Sequence, residues 1–349
     1  MVEQVTLTLD GQKYDGWTDV TIVRSLDSLV GSFTLGLSDR ERTGDQPWPM
    51  RAGALCTVSI DGEILITGWI DRLSPLLDKE SHDIVISGRD KASDMVDASA
   101  VHPSGSWKNA TLQQITSELA QPFGVAIDFA APADTKIKRF ALQQGESAWS
   151  AIERLARMRG LIIWSLADGR IRVGNPGQGA VVGVLKQGQN ILSASAVHDV
   201  SDRFGEYIVK GQASGDDEAN GATVSKITAR ATDPAINRHR PLIIIAEDQA
   251  SKASAQKRAE WEANVRAARS QPAQVTVQGW KNAGALWAID SKIKLEAPAL
   301  YIDAEMLIAG VTFIKSNDAG TVTELRLERP EAYAQGPAEG DDASALGGD

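Results

Sequence analysis

The chain has 349 residues, and at roughly 100–200 residues per domain that length calls for two or three domains with sizeable cores. Its 46 acidic residues outnumber 36 Lys and Arg for a formal charge of −10, so it lacks the cation excess with which a dedicated nucleic-acid binder neutralises phosphates. A hydrophobic fraction of 42% and a charged fraction of 23% fit a folded chain, and a lone cysteine, Cys56, excludes an intrachain disulfide or a thiolate metal cluster.

The N-terminus, Met1-Val2-Glu3-Gln4-Val5, has acidic and polar residues where a signal peptide needs an apolar run. No apolar stretch approaches the ~20 residues of a membrane span, so synthesis and folding in a cytoplasm is the expectation. From Val5 to about Asp90 period-two patterns dominate: Val5, Leu7 and Leu9 share a face, Phe33, Leu35 and Leu37 another, and Asp61-Gly62 marks a hairpin between Val58–Ile60 and Ile64–Leu73. The density of strands predicts a small antiparallel barrel over residues 1–97.

Residues 98–180 mix helix and strand. Thr111 with Gln114 three residues on predicts a capped helix carrying Leu112, Ile115 and Leu119, ended by Pro122. A second helix after Ser147 carries Trp149, Ile152, Leu155 and Ala156, with Gly160 as its left-handed stop. Leu161–Leu166 and Arg170–Val173 then read as a strand pair turned by Asp168-Gly169.

The β pattern resumes over 181–333, interrupted by an Ala-, Lys-, Arg- and Glu-rich stretch at 248–270 that predicts one long helix. The tail, 334–349, holds glycines and acids without Lys or Arg and is expected to be disordered. A weak repeat links the two β regions: Leu65-Ile66-Thr67-Gly68-Trp69 resembles Leu307-Ile308-Ala309-Gly310-Val311, and an arginine follows each glycine by 21 and 19 residues, at Arg89 and Arg329. The expected fold is mainly β, two similar antiparallel β-barrel domains of tube type flanking a small α/β insert.

Signals for catalysis or cofactors are few. Gly174–Gly179 is glycine-rich but opens no amphipathic helix. His198-Asp199 is adjacent on a strand, so the two side chains point to opposite faces, and no nucleophile motif accompanies them. His82, His102 and His239 lack the i, i+4 spacing of helical metal ligands. Asp216–Gly221 begins like a calcium loop, but Ile227 stands where the bidentate Glu belongs. No catalytic, cofactor or metal residues are assigned, and the chain is expected not to be an enzyme. Nine of the 19 aromatic residues are tryptophan, large anchors for cores and interfaces alike. Trp48, in the loop Gln46-Pro47-Trp48-Pro49, and Trp261, on the polar helix, are the candidate protein-interface residues.

The segment Phe140-Ala141-Leu142-Gln143-Gln144-Gly145-Glu146-Ser147-Ala148-Trp149, running into Ala151–Ala156 and Gly160–Trp164, resembles the baseplate hub proteins of contractile-tailed bacteriophages, the Mu-like tail protein family. Ala259-Glu260-Trp261-Glu262 with Arg266–Ser270 and Val275–Trp280 adds a second match, and the resemblance covers most of residues 2–333. It implies a virion protein assembled in the host cytoplasm: a homotrimeric ring of two barrels per subunit, joining the tail tube or its initiator to a trimeric membrane-piercing spike, contacting other baseplate proteins and letting DNA pass without specific binding. The main alternative is a peptidoglycan-binding component of a tail-associated hydrolase, because Gln144–Trp149 before a helix also looks like the start of a LysM module. A tail lysozyme or peptidase is a third class, and no nucleophile, metal set or acid/base pair supports it.

Overall fold

Alternation sets the first strands. Val5, Leu7 and Leu9 are buried while the threonines between them are half-buried, which makes β1 (Val5–Leu9) a strand with one core face. A turn at Asp10-Gly11, both at positive φ, returns the chain as β2 (Gln12–Tyr14). There follow β3 (Asp19–Ser25), β4 (Ser32–Ser38), β5 (Leu55–Ile60), β6 (Glu63–Leu77) and β7 (His82–Asp90), with Asp61-Gly62 turning β5 into β6 at φ of 50° and 86°. These seven strands lie in the order β3-β4-β7-β6-β5-β1-β2, every neighbouring pair antiparallel. The computed structural model describes residues 3–38, 50–77, 79, 82–131, 136–211, 227–245, 252–334 and 336. Trp48, the Asp216–Gly221 loop and all of the tail beyond 334 except Gly336 lie outside the described residues.

The insert follows with α1 (Ser93–Asp97), β8 (Ser106–Ala110), α2 (Leu112–Ala120), β9 (Ile127–Phe129), β10 (Ile137–Ala141), α3 (Ala148–Met158), β11 (Ile162–Ser165) and β12 (Ile171–Gly174). Thr111 Oγ1 accepts from Gln114 N at 3.2 Å, as the capping pattern requires, and Ser147 Oγ does the same for Ser150 N at 3.1 Å. Gly160, at φ 63°, stops the second helix. The insert strands form two small sheets, β8 with β10 and β11-β12-β9, the last pair parallel.

After β13 (Val181–Lys186) and β14 (Ser193–Ala196) the chain builds β15 (Glu206–Gly211), β16 (Ile227–Thr232), β17 (Pro241–Ile245) and α4 (Lys252–Arg269). The helix predicted over 248–270 is described over 252–269, and its small residues explain how it sits. Ala255 and Ala259, one turn apart, are buried with Val209 and Ala229 of the sheet β16-β15-β17, since side chains this short let a helix approach a sheet closely. There follow β18 (Ala273–Gln278), β19 (Lys281–Asn282), β20 (Ala285–Leu286), β21 (Lys292–Ala297), β22 (Ile302–Ser316) and β23 (Gly320–Glu328).

The strand orders show the repeat as architecture. The run β3-β4-β7-β6-β5 in the first half is matched by β14-β18-β23-β22-β21 in the second, so that the first, second, fifth, fourth and third strands of each motif lie side by side. The flanking strands differ, because β1 is antiparallel to β5 whereas β13 is parallel to β21. Hairpin register also corrects the sequence match: Ile70 and Ile308, not Gly68 and Gly310, are equivalent. Ile70 N donates to Ala54 O at 3.0 Å and Ile308 N to Ser291 O at 2.8 Å, each closing the pairing with the loop before the preceding strand. Both halves share one 13-stranded sheet, because β3 pairs along its second edge with β22.

Two compact units result, one of Met1–Ala156, Ile162–Ser195 and Gln274–Leu327, the other of Arg157–Leu161, Ala196–Ala273 and Glu328–Asp349. The first holds the large sheet and the insert, and the second holds β15–β17 with α4.

Candidate protein interface

The two motifs meet at a seam, the pairing of β3 with β22. Val20–Ser25 of β3 pair antiparallel with Gly310–Lys315 of β22, and Leu26 N extends the ladder to Ala309 O at 2.8 Å. Ile22 lies opposite Phe313, both with no exposed surface. Trp280 meets Phe313 edge to face at 6.4 Å, and its Nε1 donates to Ile314 O and Val322 O, both at 3.1 Å. Gly310 is where space decides, because a Cβ there would stand 3.3 Å from Arg326 Cβ. The only cue in the sequence is the apolar run Met306–Val311, six successive buried residues, which marks a strand covered on both faces.

Charged groups fasten the seam to its surroundings. Arg24 of β3 donates from Nη1 to Leu65 O of β6 at 2.7 Å and from Nη2 to Ser165 O of β11 at 2.5 Å, so one side chain ties the seam strand to the first motif and to the insert. Burial lowers the pKa of Arg24 while Asp90 and Asp168 oppose it, and Asp90, buried at the end of β7, is itself pushed up by burial. Asp90 accepts from Gly31 N at 2.6 Å and Ala92 N at 3.1 Å. Arg326 of β23 pairs with Asp27 and donates to Ser25 Oγ at 3.1 Å. At the other end, Lys281 Nζ meets Asp61 Oδ2 at 2.5 Å, and that hydrogen bond holds the carboxyl below its usual range.

One face of the five strands β14, β18, β23, β22 and β3 forms an open trough of about 420 Å³, lined by Ser195, Gln274, Glu324, Arg326, Thr312 and their neighbours. Among the described residues the unpaired edges of the large sheet include β14, which ends the strand path, and β6 beyond Ile70 on the side away from β7. Apolar side chains lie on or beside them, with Leu76 59%, Leu77 79% and Leu192 57% exposed. Unpaired edges with exposed apolar residues mark association surfaces.

Trp261 takes a different position. On α4 it is half-buried, its Nε1 donates to Ala334 O at 2.8 Å, Gly336 lies against its ring, and the Arg258 guanidinium sits 5.0 Å from the ring centroid. Arg258 and Arg266 both bond Glu262, which is 8% exposed on a helix whose other buried residues are apolar. Beside this, Arg203 grips Asp233 through two hydrogen bonds of 2.8 and 2.9 Å. Burial raises Asp233, but the Arg203 bonds outweigh it and hold the carboxyl below its ordinary value.

In His198-Asp199, the Asp199 carboxylate caps its own turn, Oδ1 accepting from Ser201 N at 2.7 Å. Among the described residues no three His, Cys, Asp or Glu side chains come together as a metal set, and no helix is long and apolar enough to cross a membrane. What the geometry offers is edges and faces for other proteins.

The comparisons with known proteins agree segment by segment. Residues 4–90 match the N-terminal domain of Mu phage baseplate assembly protein GpP-like proteins, 92–175 the second domain of gp44-like baseplate hub proteins, 203–261 the third domain of NMB1110-like tail proteins and 251–336 the fourth domain of GpP. Over its whole length the chain is 33% identical to the baseplate hub protein gp44 of Escherichia phage Mu, covering 93% of that protein. The chain belongs to the Mu-type baseplate hub family. It is thus a structural protein of the phage tail baseplate. Two solved relatives have the same fold: a 43 kDa tail protein of prophage MuSo2 from Shewanella oneidensis (31% identity, TM-score 0.83, 95% of this chain and 99% of that one) and a tail protein from Neisseria meningitidis MC58 (26%, 0.79, 97% and 99%). An Escherichia coli type VI secretion component, c3393, described as similar to phage T4 gp27 and gp5, shares the fold at 9% identity and a TM-score of 0.58, over 92% of this chain and 76% of its own.

Proposed function

We propose that this hub protein works as a homotrimeric ring at the centre of a contractile-tail baseplate, joining the tail tube to the membrane-piercing spike and letting DNA pass through its lumen. The observation that carries the proposal is the duplicated five-strand motif. Two motifs per chain let three chains present six similar units, so a threefold ring can mate with a trimeric spike on one side and a hexameric tube on the other. The division into residues 1–97, 98–180 and 181–333 serves the same end: the first and last parts form the ring, and the α/β insert faces other baseplate proteins. Three chains triple the −10 charge of one, and an acidic lumen repels DNA that must slide without sticking. Ring assembly takes place in the host cytoplasm before the hub enters the virion.

The test is co-assembly with the spike protein of the same phage. Mixed at equal subunit concentration, the two proteins should elute as one species containing three copies of each. Separate elution over the full concentration range would count against the proposal. Binding of the free protein to an insoluble cell-wall pellet, with no spike complex, would favour the LysM-like alternative.

A further inference from the structure

The repeat and the internal seam together specify how two copies of this chain meet, given the ring-forming function proposed above. Inside one chain, the first strand of the first motif, β3, lies on the fourth strand of the second, β22. The motif operation that turns β3 into β14 and β22 into β6 leaves the corresponding seam unmade within the chain. The first strand of the second motif, β14, and the fourth strand of the first, β6, each keep one bare edge among the described residues. We propose that β14 of one copy pairs antiparallel with Arg72–Leu77 of β6 in the next copy.

The register follows from the backbone hydrogen bonds. Gly53 N donates to Ile70 O at 2.7 Å and Asp290 N to Ile308 O at 3.1 Å, so these two isoleucines occupy the same place in their motifs. Two residues past Ile308, at Gly310, β22 begins to pair with β3. Two residues past Ile70, at Arg72, the bare edge of β6 begins. Across the first motif Arg72 aligns with Ser87, Thr34 and Thr21. In the second motif Gly310 stands beside Arg326, and the bonds from Gly279 N to Thr321 O and from Leu192 N to Thr276 O carry that row on through Gln274 to Ala194. Thr21 therefore corresponds to Ala194. Since Ile314 pairs with Thr21 in the internal seam, Leu76 of one copy stands opposite Ala194 of the next.

Two further observations fit a second copy as the occupant. Ser193, Ala194 and Ser195 of β14 are all exposed although they belong to a strand, a state that suits an edge waiting for a partner. Leu76 and Leu77 on one edge and Leu192 beside the other supply apolar surface to both sides.

Disulfide trapping in the full chain tests this. Leu76→Cys and Ala194→Cys are placed together, with each single variant as control; a second pair, Leu77→Cys with Ser193→Cys, lies in the same register, and Leu76→Cys with Ser195→Cys covers a one-residue slip. Both sites are exposed, so the circular-dichroism spectrum of every variant should match the parent. Strand neighbours bring Cβ atoms within disulfide reach, and oxidation should replace the monomer band on a denaturing gel by a closed covalent trimer that the single variants do not form. Three uncrosslinked pairs in a protein that light scattering shows to be trimeric would overturn this seam and leave the ring standing. A protein that stays monomeric, crosslinked or not, would overturn both.

Discussion

Phe313→Ala probes the internal seam most directly. The ring has no exposed surface, lies opposite the equally buried Ile22 across the β3·β22 ladder, and is met edge to face by Trp280 at 6.4 Å. Truncating a core phenylalanine costs about 3–5 kcal/mol through lost transfer energy and the cavity left behind, and the lost aromatic contact falls within that range. At ~1.4 kcal/mol per tenfold, the ratio of open to closed seam should rise by at least about a hundredfold. Urea unfolding at fixed protein concentration reads the total loss, and amide exchange locates it. Protection should fall at Val20–Ser25 and Gly310–Lys315 while β15–β17, in the other unit, keep theirs. A loss below about 1 kcal/mol, well short of the usual range for such a truncation, or equal loss of protection in β15–β17, would refute the view that this pair holds the two motifs together.

Other perturbations address other parts of the molecule. Arg203→Ala leaves Asp233 buried without its partner and should cost the second unit about 3–5 kcal/mol, read as early urea unfolding of β15–β17. Because Arg203 holds Asp233 below its ordinary pKa, the pair contributes stability above the unfolded-state carboxylate pKa and loses it as pH falls through the folded value; an Asp233→Asn background should flatten that acid limb of the stability curve. Cys56, whose thiol burial pushes up to about 12, should resist iodoacetamide at mildly alkaline pH in the native protein and react once unfolded. Trp261→Ala removes the bond to Ala334 O, and limited proteolysis should then cut near residues 330–334 earlier than in the parent, with the rest of the digestion pattern unchanged.

Local chemistry makes much of the fold legible in the sequence. Thr111, Ser147 and Gly160 act as caps and stop where their types predict, and Asp61-Gly62 makes its hairpin. Long-range pairing is not legible. Nothing local tells β3 to spend its second edge on β22, at the far end of the chain, and the Leu-Ile-x-Gly match aligns the motifs four residues out of register, because equivalent strand positions need equal exposure rather than equal letters. The candidate interface divides in the same way. Trp261 stands out as an aromatic on a polar helix, yet its indole is engaged by its own chain. The bare edges at Ser193–Ala196 and Arg72–Leu77 carry no distinctive residue type and emerge only once the strand order is known.

Assembly into a ring is the property on which hub function depends. Light scattering on the purified full chain over a wide concentration range, followed by negative-stain imaging of the peak, measures it most directly. A species of three times 37.3 kDa, seen as an annulus with six similar lobes, is the expected result. A monomer or dimer at every concentration, also in the presence of the spike protein, would contradict it.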